Sequence, residues 1–188
     1  ADLQNQISSG LKSKTYEGIA SNAEQFLSLE VKISRIQTFN ENNKLAEARL
    51  NTTDSVLGQV IETATNLKNL ILQRRNESLE PSLAFAQQTE GLWKTLVGQL
   101  NTTLEGRYIF AGARTDAPAV NATDFPTLEE RGIPDDKYFL GSKNDLTLRA
   151  DESVTVVYNV RADSPGIQDI FAGLATSRSG DQTDDDQL

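Results

Sequence analysis

Residues 19–57, IASNAEQFLSLEVKISRIQTFNENNKLAEARLNTTDSVL, decide the fold of this chain. The stretch lies between Gly18 and Gly58 and contains neither Gly nor Pro, so no residue in it breaks a helix. The spacing of its seam positions, and of those that follow, predicts one long helix over residues 19–75. At about 1.5 Å per residue, such a helix spans roughly 80 Å and forms a rod. The seam positions are Phe26, Leu29, Ile33, Ile36, Leu50, Thr53, Leu57, Val60, Ala64, Leu67 and Ile71.

A second helix is predicted over residues 81–105. Pro81 suits its first turn, and the seam then repeats every three or four residues with Glu90 as its only polar member. The short connection from the first helix favours an antiparallel return. The seam consists of Leu83, Ala86, Glu90, Trp93, Val97, Leu100 and Leu104.

The chain changes character after Gly106. Three of its five prolines fall within residues 113–136, where no helical period is visible. Residues 146–150 and 154–160 alternate at period two around Asp151 and predict a β-hairpin. Ser164, as N-cap, and Pro165 then open a short amphipathic helix, which an acidic run follows.

The predicted fold class is mainly α with a small β insertion, built as an elongated antiparallel helical rod with a β-rich outer domain. The expected domains are a helical rod over residues 1–113, a β-rich insertion over 114–163, and a return helix with an acidic linker over 164–188. Two helices leave part of a wide apolar stripe bare. We therefore expect another helix, from beyond Leu188 or from a neighbouring subunit, to cover it.

Composition excludes several functions. The net charge is −9 with no cluster of Lys and Arg, which argues against a nucleic-acid partner. No run approaches the roughly 18 apolar residues of a membrane span. The chain has no His and no Cys, so the usual triads, zinc sites and thiol nucleophiles are excluded, and we predict no enzyme, no metal site and no cofactor. The acidic pairs at 129–130 and 135–136 and the acidic run from Asp181 are expected to be solvated.

Several segments together resemble the flagellin family. Residues 3–12, LQNQISSGLK, are similar to its N-terminal segment, and residues 43–76 and 92–106 to its rod helices. Residues 106–112, GRYIFAG, and residues 158–166, YNVRADSPG, look like the members that stand at the hook–filament junction. Residues 12–18, KSKTYEG, depart from the segment usual in filament-building members.

The resemblance implies a structural subunit of the bacterial flagellum that joins hook to filament by helical self-association. It implies an extracellular location, export through the flagellar secretion apparatus and a role in motility. The implied partners are adjacent copies of the chain, the neighbouring hook-associated protein, flagellin and an export chaperone. Two alternatives stay open: a filament subunit of the same family, and a coiled-coil interaction or adhesion module outside the flagellum.

Six residues are candidates for a subunit interface: Ser9, Gly10, Leu11, Arg107, Tyr108 and Phe110. The alternative for the last three is structural. Tyr108 and Phe110 would then close the end of the rod, and Arg107 would pair with a carboxylate.

Overall fold

The computed structural model describes residue 7 and residues 17–76, 83–130 and 132–179. Its dominant element is helix α1, Glu17–Asn76, whose 60 residues span about 90 Å at about 1.5 Å each. The helix begins two residues before the predicted range of 19–75 and ends one residue after it. Arg74 and Arg75 in its last turn complement the partial negative charge of a helix C-terminus.

Helix α2, Leu83–Leu100, packs antiparallel against the second half of α1. Its buried face differs from the predicted seam. Ala86 and Glu90 are exposed, and Glu90 forms an ion pair with Lys94 at 2.7 Å. Trp93, Val97 and Leu100 are buried as predicted, whereas in the first half of the helix Phe85 and Thr89 are buried, one position before the predicted Ala86 and Glu90. The buried face consists of Phe85, Thr89, Trp93, Leu96, Val97 and Leu100.

The second helix ends at Leu100, so the prediction that it continues to residue 105 is wrong. Strands β1, Thr103–Leu104, and β2, Arg107–Tyr108, form a tight antiparallel hairpin there. Its two turn residues, Glu105 and Gly106, have φ angles of 51° and 74°. Positive φ at both central residues matches the twist of a two-residue hairpin and cannot continue a helix.

Two further hairpins follow. Strands β3, Leu128–Glu130, and β4, Ile133–Pro134, form the first, and a short 3-10 helix, Asp136–Tyr138, comes after it. Strands β5, Thr147–Arg149, and β6, Thr155–Val157, form the second, with Leu148 opposite Val156. This last hairpin lies in the predicted place. Each hairpin is a separate two-stranded sheet, so the described β structure is small and serves to connect the helices.

Helix α3, Pro165–Ser179, returns to the rod and packs against both α1 and α2. Pro165 occupies the first turn, as predicted. The Ser164 hydroxyl does not act as the expected N-cap acceptor: it donates to the carbonyl oxygen of Arg161 at 2.7 Å. The backbone N–H groups of Ile167 and Gln168 donate instead to the Ser164 carbonyl oxygen.

The core lies where the second half of α1, α2 and α3 meet the segment after β2. Tyr138 belongs to it, with its ring stacked on that of Phe171 at 4.1 Å and its hydroxyl donating to the carbonyl oxygen of Ala162 at 3.2 Å. Burial raises the pKa of the Tyr138 phenol. The largest fully buried side chains are Phe110, Phe171, Leu96, Leu100, Ile109, Leu174, Val120 and Thr89. The division into domains at 113 and 163 stays a prediction.

Candidate assembly interface

The first half of α1 exposes a long apolar surface. From residue 23 to residue 42 every side chain is exposed except the half-buried Phe39. Ile33 is 55% exposed and Phe26 is 65% exposed, although the pattern predicts both on the seam. In the described part of the chain, α2 and α3 pack only against the second half of the helix, which begins its buried face at Ala46. The exposed apolar residues are Phe26, Leu27, Leu29, Val31, Ile33 and Ile36; we call them the bare stretch of α1.

The β5–β6 hairpin touches α1 at the C-terminal end of the bare stretch and just beyond it. Arg35 pairs with Glu152 at 2.8 Å, with both side chains more than half exposed, and the Asn43 amide donates to the carbonyl oxygen of Ala150 at 3.2 Å. An exposed ion pair of this kind contributes about 1 kcal/mol or less. The three β6 residues are exposed, including Val157 at 61%. The hairpin therefore rests on the helix and leaves the bare stretch uncovered.

A hub of hydrogen bonds joins the rod to the rest of the chain at residues 107–113. The Phe110 carbonyl oxygen accepts from Ala162, ahead of α3, at 2.9 Å. The Ala111 carbonyl oxygen accepts from Ser142, and the Ala113 N–H donates to Asn144, both at 2.9 Å. Through these contacts the hub fixes the position of two distant segments, residues 142–144 and Ala162, relative to the end of α2.

Gly112 is required at the centre of this hub. Its φ is 63°, and a Cβ there would lie 2.1 Å from the carbonyl oxygen of Ser142. Gly141 faces the same junction, because its Cβ would lie 2.6 Å from the carbonyl oxygen of Ala111. The backbones approach too closely for any side chain at either position. The glycine that ends the GRYIFAG stretch thus has a structural explanation.

Arg49 joins α1 to this hub. The residue is 7% exposed, and its Nη2 donates to the carbonyl oxygens of Tyr108 and Ile109, each at 3.0 Å. Burial lowers the pKa of the guanidinium, and the charge of Arg107 lowers it further, whereas Tyr158 opposes the shift. Its Nε lies buried without a hydrogen-bond partner. The apolar periodicity could not identify Arg49 as a buried residue, because a charged residue is not counted as part of an apolar seam.

Asn101 is a second residue that the sequence analysis does not identify as structural. Its amide donates to the carbonyl oxygen of Val120 and its Oδ1 accepts from the Val120 N–H, both at 2.9 Å. The Asn101 side chain thus exchanges two hydrogen bonds with the Val120 backbone, and these bonds join the end of α2 to the following loop. Its position directly after the last helical residue was the available clue.

The structure separates the predicted interface residues. Ser9, Gly10 and Leu11 lie outside the described residues. Arg107 is exposed, Tyr108 is half-buried and Phe110 is fully buried. The side chain of Phe110 packs in the core, and its part in a subunit interface stays a prediction. Arg107 has no carboxylate partner among the described residues, and its Nη1 donates to the Thr115 hydroxyl at 3.0 Å.

The described ranges also bear on metal binding, membrane spans, surface ion pairs and cavities. No cluster of three or more metal-ligating side chains occurs in the described ranges, and no described helix is long and apolar enough to cross a membrane. Lys137 and Lys143 pair with Asp135 and Asp136, each at 2.8 Å, while the run from Asp181 lies outside the described ranges. A groove of about 440 Å³ lies open between α1, α2 and α3, lined by Leu72, Phe85, Asp169, Ala172 and Thr176 among others.

Fold and surface together define a rod-shaped structural protein with apolar helix surface left for association. The chain belongs to the family of the bacterial flagellin N-terminal helical region, whose model matches residues 1–115. Members of this family are structural and not enzymes. No curated protein sequence gives a significant match.

Solved structures show the same fold at low identity. FlgL of Xanthomonas campestris is 22% identical over 69% of this chain and 40% of its own, with a TM-score of 0.56. Flagellar hook associated protein-3 of Legionella pneumophila is 20% identical over 73% and 40%, with a TM-score of 0.59. FlgL of Bacillus cereus is 20% identical over 88% and 78%, also at 0.59. The match spans about two fifths of the length of the first two proteins.

Proposed function

We propose that the chain is a structural subunit of the bacterial flagellum that joins the hook to the filament. The bare stretch of α1 carries this proposal. All six side chains of the bare stretch are more than half exposed, and a contiguous apolar surface of this kind marks a site of association. Burying it gives about 25 cal/mol per Å². The fold shared with FlgL and hook associated protein-3 supports the junction over other places in the flagellum.

The mechanism is mechanical. The second half of α1 is packed within the chain, and the bare stretch is free to pack against helices of neighbouring subunits. The rigid hub at residues 107–113 holds the β hairpins at a fixed position on the rod, so that they face outward on the assembly. The partners are adjacent copies, the next hook-associated protein, flagellin and an export chaperone; the location is extracellular, after export through the flagellar apparatus.

A filament subunit of the same family is the second candidate, because the family match itself does not separate it from a junction subunit. Deletion of a junction subunit and deletion of a filament subunit have different effects on the cell. Cells without a junction subunit still make and export flagellin but cannot retain it, whereas cells without the filament subunit export none.

Deletion of the gene tests the proposal. We expect cells that do not swim, that carry hooks without filaments, and that release flagellin into the medium; expression of the full-length protein should restore attached filaments. The measurements are electron microscopy of the cells and an immunoblot of the medium. Normal swimming with attached filaments would refute the proposal, and a medium without flagellin would favour the filament subunit.

A further inference from the structure

Strand β6 forms the open edge of the β5–β6 hairpin. Helix α1 contacts β5, and β5 is the only strand that pairs with β6 in the described part of the chain. All three β6 residues are exposed, with Val156 at 41% and Val157 at 61%. Val154, just before the strand, is 46% exposed. The second edge of β6 is therefore uncovered within the described ranges.

The backbone of β6 directs hydrogen-bonding groups to this open side. The Ala150 N–H donates to the Val154 carbonyl oxygen at 2.8 Å, so Val154 bonds across the hairpin. Residues of an antiparallel pair alternate between bonding to the neighbouring strand and facing away from it. Val156 therefore bonds to β5, whereas the N–H and C=O groups of Thr155 and Val157 face the open side. No backbone hydrogen bond joins these groups to another described segment.

The strand also lacks the features that normally prevent an edge from pairing with another chain, which are charge, proline and shortness. Residues 153–159, SVTVVYN, contain no charged residue, no Pro and no Gly, and four of them are consecutive β-branched residues. A run of this length and composition is typical of segments that pair between chains. Every other described strand has a protecting feature: β1 has only two residues, β2 contains Arg107, β3 contains Glu129 and Glu130, β4 contains Pro134, and β5 contains Arg149.

We propose that β6 pairs antiparallel with β6 of a second copy of this chain, so that two hairpins form one four-stranded sheet. The register is centred on Val156, which lies opposite Val156 of the other copy. Thr155 of each copy then lies opposite Val157 of the other, and their outward N–H and C=O groups bond to each other. Each of these cross-strand pairs joins two β-branched side chains, which is a stabilising combination.

Charge favours a second copy in this register. The net charge of −9 makes two copies repel in most orientations. From residue 151 to residue 161, however, no like charges lie opposite each other, because Asp151 faces Arg161 and Glu152 faces Val160 of the other copy. The contact uses the same surface on both copies, whereas neighbours in a helical array meet through two different surfaces. The inference therefore goes beyond the proposed function and concerns copies outside the array.

Disulfide trapping tests the pairing. The chain has no Cys, so a single introduced Cys forms a disulfide within the purified protein only between two copies. In Val156→Cys the two Cα atoms would lie about 4.5 Å apart, within the range of about 4.4 to 6.8 Å that a disulfide accepts. In the matched control, Thr155→Cys, the two introduced residues are diagonal neighbours about 7 to 8 Å apart, beyond that range. Both variants are oxidised in a glutathione redox buffer and compared by non-reducing electrophoresis.

We expect roughly tenfold or more covalent dimer in Val156→Cys than in Thr155→Cys, with equal melting temperatures of the reduced proteins. Val157→Lys added to Val156→Cys should lower the dimer yield severalfold by charging the edge, although a neighbouring lysine makes a thiol more reactive. Equal yields from the two single variants would overturn the pairing, and a higher yield from Thr155→Cys would overturn the register. Either result leaves the proposed function standing, because the deletion phenotype does not depend on this dimer.

Discussion

Single residues at the hub fix the position of the β hairpins relative to the helical rod. The strongest case is Gly112, where a Cβ would overlap the carbonyl oxygen of Ser142 at 2.1 Å. We expect Gly112→Ala to lower the free energy of unfolding by about 3 kcal/mol or more, through strain at positive φ and displacement of the backbone. Gly91→Ala is the control, because nothing lies within 4 Å of its Cβ in the exposed interior of α2, and it should stabilise by about 0.5 to 1 kcal/mol. Chemical denaturation measures both; equal effects would contradict the hub geometry.

Arg49 is the second such residue. Arg49→Met keeps much of the side-chain volume but leaves the Tyr108 and Ile109 carbonyl oxygens without this donor. We expect a loss of about 2 kcal/mol in the free energy of unfolding. Arg35→Met removes an exposed pair with Glu152 and should cost about 1 kcal/mol or less. A larger effect at position 35 than at position 49 would show that the buried arginine does not anchor the helix.

The buried Tyr138 phenol should make the stability of the fold fall at alkaline pH. Its pKa is raised in the folded chain above the ordinary value of about 10, chiefly by burial. Above that ordinary value the unfolded chain loses the proton and the folded chain keeps it, so this group's contribution to stability is complete below about pH 10 and falls as pH rises further. Tyr138→Phe should flatten the decline of the melting temperature between about pH 10 and 11.5. An unchanged slope would mean that the phenol is not buried.

These residues also mark where sequence reasoning stops. Gly106 and the small residues after it could be recognised as a motif, but only the approach of residues 141–144 explains why Gly112 and Gly141 are needed. The structural use of Arg49 and Asn101 depends on backbone groups 19 to 60 positions away. Such partners leave no periodic signal, and the core position of Phe110 likewise follows from packing and not from its motif.

Among the features of the fold, the helices were predicted best from the sequence. The absence of Gly and Pro in residues 19–57 and the spacing of apolar residues are local properties, so both the length of α1 and its antiparallel partner were predictable. The second half of the buried face of α2, with Trp93, Val97 and Leu100, was predictable in the same way. The first half was not, because a buried threonine leaves no apolar signal and Phe85 packs under the Arg74 guanidinium of α1. The end of α2 was missed for a similar reason: Leu104 fits the helical period, whereas the positive φ of Glu105 and Gly106 requires a hairpin.

The two halves of α1 should respond differently to the same kind of substitution. Leu96→Ala on α2 removes a fully buried side chain that packs in the core and should cost about 2 to 5 kcal/mol. Leu29→Ala on the bare stretch removes a side chain that is 56% exposed and should change the free energy of unfolding of the isolated chain by about 0.5 kcal/mol or less. Thermal and chemical unfolding compare the two. A large loss for Leu29→Ala would mean that the bare stretch is already packed within one chain.

Considered as a whole, the molecule is a rod in two parts. One part is consolidated by three helices and the hub. In the other part, no described element covers the apolar side chains of α1. The consolidated part explains how the chain keeps its shape, and the bare part explains why it should assemble. The account therefore depends on the bare stretch being an assembly surface in the flagellum.

The most direct test is to count attached filaments on cells whose protein carries an added charge within the bare stretch. Ile33→Glu places a carboxylate among the exposed apolar residues, and Ser28→Glu adds the same charge about 140° around the helix, at 100° per residue. Neither change should alter the melting temperature of the isolated chain. We predict that cells with Ile33→Glu lose most attached filaments and cells with Ser28→Glu keep them. Equal numbers of attached filaments with the two variants would contradict the account.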